Sequence, residues 1–140
     1  MKYSIETKLL LVISSTMSFL GAYFLDLALN FFEQFIAVIL VIMLDGVFGI
    51  ILGIQREGFK TYKALKILKT VVTWVTILTV LLSIEKAFPV ISWLSESIII
   101  PFIIFEVMSA LKNASMANLV KPEFINEILD RIDTHKGKRK

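Results

Sequence analysis

The 140-residue chain has no cysteine and a single histidine. The first absence excludes a disulfide scaffold, a cysteine-ligated iron–sulfur site and a thiol nucleophile, and leaves the compartment open. The second removes the material for a histidine-based metal or catalytic cluster, because His135 lies in a charged tail. Charged residues are also scarce, at 19%, while 56% of the chain is hydrophobic and the mean hydropathy is +0.79. A soluble domain carries about 25% charged residues. The apolar excess sits in long blocks separated by short charged stretches, the arithmetic of an integral membrane protein with no room for a separate soluble domain. No nucleophile-and-base pair, metal site or phosphate cradle is recognisable, so neither an enzyme nor a cofactor is expected.

Four blocks read as membrane spans. The first, residues 9–25, is 17 residues long and is diluted by Ser14, Ser15, Thr16 and Ser18. Lys8 before an apolar run also suits a secretory signal, but no Ala-x-Ala cleavage site follows, which favours a retained span. The second, residues 35–54, has 20 residues and one charge, Asp45; at 1.5 Å per residue it covers ~30 Å, the hydrocarbon thickness. The third is residues 67–84. The fourth, residues 90–111, carries Ser92, Ser95, Glu96, Ser97, Pro101 and Glu106. It reads as a polar span facing other helices in preference to a re-entrant hairpin.

Lysine and arginine set the orientation. Lys2 and Lys8 precede the first span, and Arg56, Lys60, Lys63, Lys66 and Lys69 cluster around the second connection. Seven more basic residues follow residue 111, whereas the first connection has none and the third only Lys86. Four spans, with both termini and the basic loop in the cytoplasm, satisfy this pattern. The expected architecture is all-α: a four-span membrane domain over residues 1–111 and a cytoplasmic tail over 112–140.

The basic loop is read as a topological device attracted to anionic lipid headgroups at ~1 kcal/mol per basic residue, with Phe59, Tyr62 and Leu65 on the membrane surface. The alternative is a docking site for a cytoplasmic partner. Residues 122–134 are expected to form a short amphipathic helix, with Pro122 and Glu123 in its first turn and Ile125, Ile128, Leu129 and Ile132 on one face. Its polar face is acidic, which favours self-association over adsorption to lipid. Gly137 is expected to break it ahead of a basic terminus. A pI near 9.2 reflects topological lysines, and no nucleic-acid partner is expected.

Asp45 lies near the middle of the second span, where a carboxylate costs at least ~2.5–3.5 kcal/mol unless it is protonated, paired or facing water. Gly46, Gly49 and Gly53 surround it, and Gly49 and Gly53 make a Gly-x-x-x-Gly pair that permits close helix approach. This stripe suits packing within one subunit and an oligomer seam equally. Glu106, Ser109 and Asn113 recur along one face of the fourth span, and with Asp45 they are the candidates for intramembrane polar or pore-lining residues.

From Asp45 onward the chain resembles the phage lysis and toxin-secretion holin family (the holin 4 type). The matching pieces are Asp45 and Gly49, Thr61 in the basic loop, the stretch from Glu106 through Ser109 to Lys112 and Asn113, and Pro122. Two positions depart from that pattern: Lys112 stands where the family often has Glu, and Thr61 where it usually has Ser. The resemblance implies a protein that oligomerises in the bacterial cytoplasmic (inner) membrane and opens a lesion that releases an endolysin or toxin. The passenger need not touch it, so its direct partners would be membrane lipids and other copies of itself. The alternatives are a small ion or proton channel or transporter subunit built around the two carboxylates, and a membrane anchor recruiting a cytoplasmic partner.

Overall fold

The structure is a computed structural model describing residues 4–58 and 60–137, apart from the side chains of Leu129 and residues 132–137. Five α-helices follow one another: α1 (Ile5–Asn30), α2 (Phe32–Glu57), α3 (Thr61–Ala87), α4 (Leu94–Met116) and α5 (Pro122–Gly137), with a 3-10 turn at Pro89–Ile91 before α4. No strand occurs among the described residues. Among the described residues four segments are long and apolar enough to cross a membrane, the fourth running from Pro89 to Met116.

The helices overrun the apolar blocks. A 26-residue helix extends ~39 Å, more than the ~30 Å hydrocarbon layer, so charged turns project beyond it. The expected connection at 26–34 is helical except at Phe31, and the expected basic loop is largely the first turns of α3. Only residues 58–60 separate α2 from α3; Gly58 takes φ +80, a value that favours glycine. The fourth helix starts at Leu94 and not at residue 90, and α5 runs through Gly137 and does not stop at Thr134. Hydropathy marks the part of a helix that sits in lipid, whereas backbone hydrogen bonding decides where the helix ends. Asn118 closes α4 with φ 58, while Asn118 N–H bonds the Ser115 carbonyl and Leu119 N–H that of Ala114, each at 2.9 Å.

On α3, a helix rich in β-branched residues, Thr70, Thr73, Thr76, Thr79 and Ser83 each return a hydroxyl to the carbonyl four residues earlier. These hydroxyls therefore need no partner from lipid. Lys86 of α3 meets Asp26 of α1 at 2.8 Å, and Gln55 of α2 donates to the Ala117 carbonyl after α4 at 3.2 Å. These contacts gather the α1–α2 and α3–α4 turns at one end and the α2–α3 and α4–α5 turns at the other. The four long helices thus alternate in direction.

The buried apolar core fills only the first of those ends. It comprises Leu27, Phe35, Val38, Val41 and Ile42 with Leu78, Leu81, Leu82, Ile99 and Phe102. Towards the other end α2 and α4 stay together with Leu52 and Gly53 of α2 and Ala110 and Ala114 of α4 buried. α1 stands apart: residues 8–22 are exposed throughout. It joins the bundle through Leu27, the Phe24–Phe35 edge contact and Tyr23, whose ring lies 5.5 Å from the Lys86 ammonium.

Candidate functional site: a polar cleft among α2, α3 and α4

Below the apolar core the three helices enclose a cleft of about 460 Å³. α2 contributes Asp45, Gly46 and Gly49; α4 contributes Glu106, Ser109 and Asn113, which share a face because three and four residues make roughly one turn. The residues singled out on two separate spans therefore face the same space. Asn113 donates its side-chain amide to Asp45 Oδ1 at 3.0 Å, holding α4 to α2.

The third wall comes from α3. Lys63 and Lys66 line the cleft with Tyr62 and Thr70. The spacing alone assigns these lysines to the basic segment at the membrane surface, since it does not say which helices stand beside them. Once residues 61–70 are helical, Lys63, Lys66 and Thr70 fall on one face and Tyr62 beside them. Leu65 is exposed, while Phe59 lies outside the described residues. The basic residues that share the cleft with Glu106 therefore come from α3, and not from Lys112 on its own helix. At the mouth, Glu57 pairs with Lys60 at 2.7 Å and lies 3.7 Å from Lys63; its hydrogen bond and charge hold the Lys60 ammonium above its ordinary value.

The glycines have different neighbours. A Cβ on Gly46 would fall inside the Ile67 side chain, so α3 uses the missing side chain to approach. A Cβ on Gly49 would sit 3.6 Å from the Asn113 amide, an ordinary contact, and one on Gly53 would meet the movable end of Lys63. All three therefore face helices of the same chain.

Two contacts escaped the reading of the sequence. Glu85 on α3 accepts the backbone N–H of Ser95 at 2.6 Å and its hydroxyl at 2.9 Å. The carboxylate thereby caps the first turn of α4, where unpaired N–H groups and the helix dipole favour negative charge. Trp74 of α3 stacks on Phe102 of α4 with ring centroids 3.5 Å apart. Neither contact has a short-range signal, since its partners come from different helices. The tail also folds back: Ile125 and Asn126 join Met108, Lys112 and Met116 around a second groove. Ile125 and Ile128 are half-buried, whereas the side chains of Leu129 and Ile132 lie outside the described ones.

Among known proteins, the sequence model of the bacteriophage holin family matches residues 23–134. The match begins where α1 first touches the bundle and so reaches further towards the N-terminus than the resemblance read from Asp45. No curated protein and no solved structure matches the chain.

Proposed function

The chain belongs to the bacteriophage holin family, and from that premise we propose that it oligomerises in the bacterial cytoplasmic membrane and opens a lesion through which an endolysin or toxin leaves the cell. It is a multi-pass membrane protein of a pore-forming, non-enzymatic family. The family match over residues 23–134 carries the proposal. Both termini and the basic turn face the cytoplasm in this reading, as the lysine and arginine distribution favours.

The architecture supports the idea physically. A bundle with an apolar core at one end and a polar cleft at the other has groups that can exchange protein neighbours for water. Asp45, Glu106, Ser109 and Asn113 would make that exchange when copies associate. Such a switch is a population shift between two packings separated by a few kcal/mol. The apolar face of α1, exposed throughout residues 8–22, is free to meet lipid or a neighbouring copy.

The test is inducible expression beside a cytoplasmic endolysin that lacks its own signal, following membrane potential and release of a folded reporter. A delay and then abrupt depolarisation with reporter release is expected. Graded depolarisation with the reporter retained would replace this reading with a small ion channel built around Asp45 and Glu106, which line one cleft. Membrane insertion with neither effect would favour an anchor.

A further inference from the structure

The geometry points to a water-filled vestibule within a single chain, open at the end of the bundle where α2 gives way to α3 and stopped part-way by the Trp74–Phe102 stack. The cleft's limits agree on all three helices. Its innermost lining residues are Ile42 on α2, Thr70 on α3 and Glu106 on α4. One turn further inward lie Val38, Trp74 and Phe102, where the buried core begins and the two rings close face to face. The boundary is therefore a single level across the bundle.

The occupant follows from the lining. Asp45, Lys63, Lys66 and Glu106 bring two charges of each sign into the cleft. Asn113 satisfies one oxygen of Asp45. Among the described residues the Glu106 carboxylate makes no direct hydrogen bond, and the Lys66 ammonium is in no ion pair within 4.0 Å. No side-chain polar atom is both fully buried and unpartnered there, so these groups open onto the cleft and do not press into protein. An acyl chain cannot solvate them, and leaving them dry in hydrocarbon is expensive. Water can solvate them, and the cavity has room for on the order of ten molecules. Ionisable side chains at membrane depth face a bundle interior or a water-filled cavity.

The consequence is that half of a hydrated path exists before any copies associate. This inference concerns the unassembled chain and stands apart from the holin reading. The chain has no cysteine, so single cysteines can report water directly. Ser109→Cys, Thr70→Cys, Phe105→Cys, Leu78→Cys and Lys60→Cys would be treated with a charged, membrane-impermeant thiol reagent applied from the side that labels Lys60→Cys. Expression would be kept low, in sealed membranes where Glu96→Cys, at the opposite end, stays silent. That silence shows that no lesion has formed.

Ser109→Cys and Thr70→Cys should react within about tenfold of Lys60→Cys, because only a hydrated thiol readily forms the reactive thiolate. Phe105→Cys, at the depth of Glu106 but 73% exposed on the outer face in the native chain, should stay unlabelled, as should the buried Leu78→Cys. If Ser109→Cys and Thr70→Cys are as silent as Phe105→Cys, the cleft holds lipid or is closed, and the vestibule is wrong. Labelling at Leu78→Cys would overturn the Trp74–Phe102 stop. Failure of lysis in the endolysin assay alongside positive labelling would sink the holin reading and leave the vestibule standing.

Discussion

The amide of Asn113 and the carboxylate of Asp45 join α4 to α2 at 3.0 Å, 68 residues apart in the chain. Interhelical bonds of this kind in membranes contribute ~0.6 kcal/mol on average, and removing one partner of a shielded group costs more. Asn113→Leu should therefore destabilise the bundle by about 1 kcal/mol. Asp45→Asn should cost less, because an amide oxygen can still accept the bond. Unfolding in mixed detergent micelles measures both, and equal losses for the two would argue against the bond.

Gly46 and Gly49 should respond in opposite directions. Gly46→Ala gains ~1 kcal/mol of helix propensity but forces Ile67 aside, and overpacking costs about 1–3 kcal/mol, so the net is a loss. Ile67→Ala should convert that loss to a neutral or favourable change, which a double-mutant cycle reads as coupling. Gly49→Ala should be neutral or stabilising. The larger Gly49→Leu would fill the cleft beside Asn113, and on the holin reading it impairs assembly. Normal oligomers and normal lysis timing in that variant would remove Gly49 from the assembly mechanism.

Glu85→Ala should be among the costlier substitutions outside the core. It strands the N–H and hydroxyl of Ser95, a residue only 2% exposed, at about 1–3 kcal/mol. Glu85→Gln keeps acceptor capacity and should recover part of the loss. A Ser95→Ala variant as unstable as Glu85→Ala would mean that the backbone N–H contributes nothing.

Glu106→Leu should change the onset of membrane permeabilisation more than it changes folding. It removes the acidic group that faces Lys66 and leaves that lysine's charge in the cleft with Asp45 alone. Reporter release in the endolysin assay measures onset, and micelle unfolding measures stability. Unchanged onset would take Glu106 out of the opening step.

Some of the site was legible before any helix was placed. Asp45 and Glu106 stand out because isolated carboxylates in apolar runs are costly. The spacing of Glu106, Ser109 and Asn113 assigns them to one face. Lys63 and Lys66 read as headgroup-facing charges because spacing along one helix does not say which helices pack beside it; α3 carries both to the cleft. Glu85 gave no signal at all, since a carboxylate near a span end looks like any solvated charge until Ser95 stands beside it.

The sequence by itself determined four apolar helices and a tail helix. Those properties are sums along the chain: mean hydropathy over a span, and helical spacing in the tail. Only the tertiary structure decided which faces meet. Gly46 admits Ile67, Gly49 lies against Asn113 of α4, and Trp74 stacks on Phe102. Together they close one end of the bundle and leave the other open. The reason is rotational: periodicity states which residues share a face, whereas the azimuth of each helix about its axis is set by the shapes of its neighbours, and only that azimuth brings Lys66 opposite Glu106.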